Sequence, residues 1–351
     1  MQEPLIQLKE IIWEITTNCN NGCNYCGSKD ILNNDAPNRI QTICDEIAEY
    51  VATVEGTVSI DISGGDPLSC FYADHQYIID VMPENVRLKI LVNPLSFSKV
   101  EMSSWINILK MYYWVGISVN TIEELNALKY YWHMFKANEV NVTIISNFSR
   151  DNIWHYDDIE SFVIGDHPID EDQLTWQIQY TMGDNSTAIY TNSDALSMFF
   201  NKITNSFNNG RKLVIADNMN EGECSAGKYS LGILQNGDVV ACLSMRSWGT
   251  PESMGNILDT KLSTIWENNF GYFRTQSFKC CKDVCNAPYC AETKSRSMMD
   301  MLTNPRVPNP KPKPFTPLPG MTCVYGVTTN PLYPGNVFVY GVATDGPILN
   351  K

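Results

Sequence analysis

The chain has 351 residues, 44% hydrophobic and 18% charged, which excludes global disorder and suits one large α/β domain with a smaller companion. Thirty-nine Asp and Glu against 25 Lys and Arg leave a formal charge of −14, which argues against nucleic acid or an anionic membrane as a partner, since both are bound through basic surfaces. No run approaches the ~20 apolar residues of a transmembrane helix, and the start Met1-Gln2-Glu3-Pro4 has no signal-peptide pattern, so a cytoplasmic location is expected.

In chain order, the first strand is predicted over residues 11–16, and Cys19, Cys23 and Cys26 follow it directly. A helix is predicted over 38–54. Its apolar positions Ile40, Ile43, Cys44, Ile47, Val51 and Val54 form one face of a 3.6-residue period, and Pro37 stands near its start. A second strand, 57–62, runs into Ser63-Gly64-Gly65-Asp66-Pro67. Further strands are predicted at 86–92, 114–119, 142–146 and 175–180, with helices at 100–111, 122–135 and 194–207. Six such β-then-α units imply parallel strands joined by right-handed crossovers. They suit an open partial barrel or a doubly wound sheet, and periodicity alone does not choose between these.

Beyond residue 222 the texture changes. Asn236-Gly237 between two apolar runs is a hairpin signal, and a short helix is predicted at 262–270. Residues 304–319 hold seven prolines and read as an extended linker. The final segment repeats Val324-Tyr325-Gly326-Val327 as Val339-Tyr340-Gly341-Val342. It reads as a small hairpin packing on the barrel or another subunit, or a partly ordered tail. A sharper alternative is a fused substrate peptide that loops into the barrel. The expected domains are 1–217, 218–303 and 304–351.

The chain has twelve cysteines, and they are clustered. Short spacings without a signal peptide point to metal or iron–sulfur ligation rather than disulfides. Cys19, Cys23 and Cys26 place three thiolates on one loop past a strand's C-terminal end, where α/β sites form. A [4Fe–4S] cluster held by three thiolates keeps one iron open. Zinc fits less well, because no local fourth Cys or His completes a set.

The spacing Cys19-x3-Cys23-x-Tyr25-Cys26, with an aromatic residue before the third cysteine, resembles the signature of the radical S-adenosylmethionine (radical SAM) enzymes. The resemblance implies a partial (β/α)6 TIM-like barrel in which the open iron chelates SAM. An electron from the cluster cleaves SAM to a 5′-deoxyadenosyl radical, which abstracts a hydrogen from the substrate. Gly64-Gly65-Asp66-Pro67 resembles the family's Gly-Gly-Glu-Pro stretch, which contacts the methionine ammonium of SAM, with Asp66 in place of the usual Glu. By the same resemblance Asn93, Ser118, Asn120 and Asn147, each at a predicted strand end, are candidate SAM-binding groups. The plainer reading of each is a polar strand cap.

Cys224, Gly237 and Cys242 resemble the opening of the SPASM domain, a cysteine-rich α+β extension that holds auxiliary [4Fe–4S] clusters. Cys280, Cys281, Cys285 and Cys290, with Cys323 beyond the linker, depart from that family's spacing. One auxiliary cluster from Cys224, Cys242 and two of the later four is expected. Two clusters, a one-cluster twitch domain, or a four-cysteine zinc knuckle are the alternatives. Cys44 and Cys70 read as packing residues.

Family resemblance implies an oxidoreductase that modifies a peptide or protein side chain, with a reducing partner such as flavodoxin or ferredoxin. Oxidation or rearrangement of a small molecule such as a sugar alcohol is the second reading. A non-catalytic metal protein that binds a partner through its tail is the third.

Overall fold

The computed structural model describes residues 7–19, 21–23, 26, 32–33, 37–164, 174–180, 193–208, 213–215, 225–243 and 253–275, and two short strands near the C-terminus. Its elements are β1 (Glu10–Thr16), α1 (Ile40–Val51), β2 (Val58–Gly64), α2 (Tyr72–Val81), β3 (Val86–Val92), α3 (Met102–Leu109), β4 (Trp114–Ser118) and α4 (Ile122–Ala137). There follow β5 (Val142–Phe148), α5 (Tyr156–Ile164), β6 (Leu174–Tyr180), α6 (Ser193–Asn208) and β7 (Leu213–Ile215). Then come β8 (Ser230–Ile233), β9 (Asp238–Val240), β10 (Gly255–Asn256), α7 (Leu262–Asn269), α8 (Gly271–Thr275), β11 (Phe338–Val339) and β12 (Val342–Ala343).

The main sheet has the order β10-β9-β8-β1-β2-β3-β4-β5-β6-β7, and every pair from β8 through β1 to β7 is parallel. The order from β1 to β7 never reverses. Right-handed crossovers then put every connecting helix on the same side, so the sheet curls as a partial barrel instead of being doubly wound. Two features went unpredicted. A seventh parallel strand, β7, joins the six expected. The hairpin strand β8 pairs with β1 in parallel, so the cysteine-rich region extends the barrel's own sheet. The expected boundaries at 217–218 and 303–304 lie outside the described residues.

Side-chain alternation divides the sheet into two faces. Ile11, Trp13, Ile60, Ile62, Ile90, Val92, Val115, Ile117, Val142, Ile144, Trp176 and Ile178 belong to one apolar core that also takes Ile43, Cys44 and Ile47 of α1. Burying each such large aliphatic side chain stabilises the fold by about 1.5–3 kcal/mol. The opposite, concave face carries Glu10, Glu14, Ser59, Asp61, Lys89, Trp114, Thr143, Ile145 and Gln177, all buried.

Two helix starts show how local sequence sets the frame. Asn38 Oδ1 accepts from Ile40 N at 3.0 Å, so α1 begins two residues later than the periodicity suggests. Thr121 and Glu124 form a reciprocal capping box at α4, which holds the chain just past β4.

The C-terminal hairpin pairs Val339 with Val342 and Phe338 with Ala343. Cα atoms of β12 come within 8 Å of β3, β4, β5 and β6.

Candidate functional site

The site forms where β1 to β5 end. β1 runs out through Thr17 and Asn18 into the cysteine loop, where Cys19, Cys23 and Cys26 are each partly exposed. Cys26 N donates to Cys23 O at 3.2 Å, closing a tight backbone turn between the second and third cysteines. Asn33 closes the loop. Its amide donates to Cys19 O at 3.0 Å, its carbonyl accepts from Cys19 N at 2.9 Å, and its own N–H donates to Thr17 O at 2.8 Å. Asn33 has φ +57°, a left-handed conformation that Asn adopts more readily than most residues. Tyr25 lies outside the described residues.

The Gly64-Gly65 pair lies directly against this loop's stem. Gly64 has φ +128°, and a Cβ there would stand 2.3 Å from Thr16 O. A Cβ on Gly65 would stand 2.3 Å from Asn18 O. Gly65 N donates to Thr16 O and Asp66 N to Asn18 O, both at 2.7 Å. The two glycines are therefore required for backbone to dock on backbone just before Cys19.

Asp66 is buried. Its Oδ1 accepts from Leu68 N at 3.2 Å, capping the turn Pro67–Ser69, and its Oδ2 accepts from the Ser96 hydroxyl. Burial pushes its carboxyl above the usual range, and Ser96, the Leu68 amide, Lys99 and Asn21 pull it part of the way back. The buried ring of His75 bridges Tyr112 Oη at 2.7 Å and Pro67 O at 3.0 Å, so it steadies the same turn. Burial lowers its pKa and favours the neutral ring.

The other predicted site residues form one network. Asn93 Nδ2 lies 4.0 Å from Cys23 Sγ and donates to Glu124 Oε1 at 2.7 Å. Glu124 Oε2 accepts from Asn120 N at 2.6 Å and Thr121 N at 3.1 Å. Asn120 Nδ2 donates to Ser118 Oγ at 2.9 Å, and Asn120 Oδ1 accepts from Asn147 N at 2.6 Å. Asn152 Nδ2 joins them by donating to the carbonyls of Asn120 and Asn147, each at 3.0 Å. Asn93, Ser118, Asn120 and Asn147 are thus brought together, and Asn93 links them to the cysteine loop.

Asn33, Glu124 and Asn152 were missed by sequence reasoning. Only Glu124 left a signal, the Thr121-x-x-Glu124 capping pattern. The concave face was missed as well. Asp61 and Lys89 are register partners on β2 and β3 and form a buried ion pair at 3.3 Å. Burial raises the Asp61 carboxyl above its usual value, while the Lys89 charge and hydrogen bond oppose the rise. The signal was a charge set inside each of two apolar strands, Ile60-Asp61-Ile62 and Leu88-Lys89-Ile90, since parallel strands covered on both faces are usually apolar throughout.

Cys242 is buried just past β9. Cys224, Cys280, Cys281, Cys285, Cys290 and Cys323 lie outside the described residues, so the auxiliary ligand set does too. Cys44 is fully buried in the core of α1, and Cys70 is half-buried; burial pushes both thiols up to about 12. Among the described residues, no three His, Cys, Asp or Glu side chains converge as ligands of a single metal ion would. The Cys19, Cys23 and Cys26 donor set suits a polynuclear cluster, which spreads its thiolates over several metal atoms. No helix among the described residues is long and apolar enough to cross a membrane.

Comparison with known proteins agrees with this geometry. Residues 13–146 match the radical SAM superfamily, and residues 224–290 match the SPASM iron–sulfur cluster-binding domain. No curated protein sequence matches the chain. Among solved structures, Streptococcus suis SuiB bound to S-adenosylmethionine aligns with TM-score 0.59 at 15% identity, covering 83% of this chain and 75% of SuiB. SuiB bound to its precursor peptide SuiA aligns with TM-score 0.57 at 16% identity, covering 83% and 74%. The protein anSMEcpe with bound AdoMet and Cp18Cys peptide aligns with TM-score 0.58 at 14% identity, covering 76% of this chain and 81% of that one. At such identities the structural likeness speaks for the fold. The two matched domains imply [4Fe–4S] clusters and SAM. A three-cysteine loop at the mouth of a singly wound partial barrel, followed by a cysteine-rich extension of the same sheet, places this chain in the radical SAM superfamily with a C-terminal SPASM domain.

Proposed function

We propose that the protein is a radical SAM enzyme of the reducing cytoplasm that modifies a peptide or protein side chain. The observation that carries this reading is the position of Cys19, Cys23 and Cys26 just past the C-terminal end of β1, on a sheet whose concave face buries Glu10, Glu14, Asp61, Lys89, Thr143 and Gln177. These three cysteines would hold the catalytic cluster. When bound, the cluster supplies an open iron for SAM and the electron that cleaves it to a 5′-deoxyadenosyl radical.

The chain's own residues do the positioning. Gly64 and Gly65 fix the stem of the loop, Asn33 clasps Cys19, and Asn93 brings an N–H donor toward Cys23. The polar ends of β4 and β5 offer Ser118, Asn120 and Asn147 to SAM. The curled sheet excludes water from the concave face, which limits side reactions of a radical. The peptide class is supported by the relatives of the same fold that are described with peptides bound. The electrons would come from a low-potential donor such as a flavodoxin or ferredoxin.

The test is anaerobic reconstitution with iron and sulfide, followed by a strong reductant and SAM. Bound iron and 5′-deoxyadenosine are expected, and Cys23→Ser should abolish the nucleoside. Zinc in place of iron, or undiminished 5′-deoxyadenosine from Cys23→Ser, would overturn the reading.

A further inference from the structure

We infer that the chain's own C-terminal segment, the β11–β12 hairpin, occupies the barrel chamber and is the peptide on which this enzyme acts in cis. The inference takes its chemistry from the function proposed above, while the placement stands on separate observations.

The first is position. Cα atoms of β12 come within 8 Å of β3, β4, β5 and β6. Each of these strands already has a hydrogen-bonded neighbour on both sides, so β12 is not an added edge strand. Their convex side is filled by Ile90, Val115, Ile144 and Trp176 packing in the apolar core beneath the helices. A segment that reaches four adjacent strand backbones must therefore approach from the concave side.

The second is what that side presents. Trp114 and Ile145, with Leu91 against them, form an apolar cluster separate from the main core, and they are only 4% and 3% exposed. They belong to β4, β5 and β3, three of the four strands that β12 approaches. Gln177, on the fourth, is 3% exposed, and its Oε1 has no hydrogen-bond partner among the described residues. A buried apolar patch beside an unpaired amide acceptor is suited to a peptide, which brings both apolar side chains and backbone N–H donors.

The third is reach and charge. Residues 276–337 separate α8 from β11, and at roughly 3.3 Å per extended residue even a fraction of them spans a domain. Residues 304–351 hold four basic and one acidic residue, against 21 basic and 38 acidic in the rest of the chain. A slightly basic tail complements Glu10 and Glu14 on the concave face, where Asp61 is already matched by Lys89. A tethered peptide also meets its site at high effective concentration without needing tight intrinsic binding.

In the reaction assigned to it, one tail C–H bond breaks and its hydrogen atom forms a new C–H bond in 5′-deoxyadenosine, which leaves the unpaired electron on the tail carbon. Two measurements on the full chain test this. For placement, Val342→photoleucine and, as a second variant, Ala343→photoleucine are irradiated without cofactors, in a mixture of isotopically light and heavy chains. Cross-links to peptides from β3 to β6 within one chain are expected. Cross-links to the outer helices, or between light and heavy chains, would overturn the placement. For chemistry, a chain ligated from an unlabelled body and a deuterated tail is turned over with SAM, and deuterium in 5′-deoxyadenosine is expected. Undeuterated 5′-deoxyadenosine formed at the ordinary rate would overturn the substrate role and leave the radical SAM reading intact. Absence of 5′-deoxyadenosine from every preparation would refute that reading instead, with the cross-links still deciding placement.

Discussion

The side-chain amide of Asn93 donates to Glu124 Oε1 at 2.7 Å and lies 4.0 Å from Cys23 Sγ, so one residue ties the cysteine loop to the cap of α4. Glu124 is 2% exposed and also accepts from the backbone of Asn120 and Thr121. Asn93→Ala removes one donor from a buried carboxylate. A loss of about 1–3 kcal/mol is expected in denaturant unfolding. Asn93→Asp should cost more, because it sets a second negative charge beside Glu124. Equal stability of the two variants would contradict this account.

Gly65 is required by its contact with Asn18. With Asn18 O only 2.3 Å from the place of a new Cβ, Gly65→Ala must move the stem of the cysteine loop. Iron bound after reconstitution should fall several-fold. Gly56→Ala is the control, since nothing lies within 4 Å of its Cβ position, while its φ of +81° adds a backbone strain that Gly65 does not carry. Gly56→Ala should keep full iron content and lose only about 1 kcal/mol of stability to backbone strain. Similar iron loss in both would point to general destabilisation and away from the docking contact.

Asp66 predicts a sign in pH dependence. Its folded pKa is raised, first by burial, so the folded state binds its proton more tightly than the unfolded state. Its contribution to stability is therefore full below the unfolded value near 3.8 and falls as pH rises through the folded value. Asp66→Asn removes this titration. The stability of the native chain relative to Asp66→Asn should decrease from pH 4 toward neutrality, as read by urea midpoints. Asp66→Glu restores the family's usual residue, yet a longer side chain cannot keep both the Leu68 and Ser96 bonds. It should destabilise the chain by about 1 kcal/mol.

The Asp61–Lys89 pair is buried on both sides, with side chains 2% and 0% exposed. Lys89→Met leaves the Asp61 carboxyl buried without its counter-charge and should cost about 3–5 kcal/mol. The double variant Asp61→Asn, Lys89→Met should recover most of that loss, since the pair's own desolvation cost disappears with it. A double variant as unstable as the single would show that the pair itself holds the sheet.

The glycines and the cysteine loop were legible in sequence because each depends on short-range rules; the Thr121-x-x-Glu124 cap of α4 follows such a rule too but went unread. A turn needs a particular residue, a ligand set has its own spacing, and a cap has a fixed offset. Strand cores such as Val86, Leu88, Ile90 and Val92 were legible by alternation. The cysteines of the SPASM region were legible as a group, although their partition among clusters was not, because spacing says little about which thiols meet in space.

What the sequence determined by itself was therefore the repeated βα units, the three-cysteine loop and the Gly-Gly stretch, all written in neighbouring residues. What only the tertiary structure decided was the uninterrupted strand order, the union of β8 with β1, the network from Cys23 through Asn93 to Asn147, and the approach of β12 to four strands. These join residues tens to hundreds of positions apart. Such pairings are selected by how the whole sheet curls to bury one apolar face, and no local pattern records that choice.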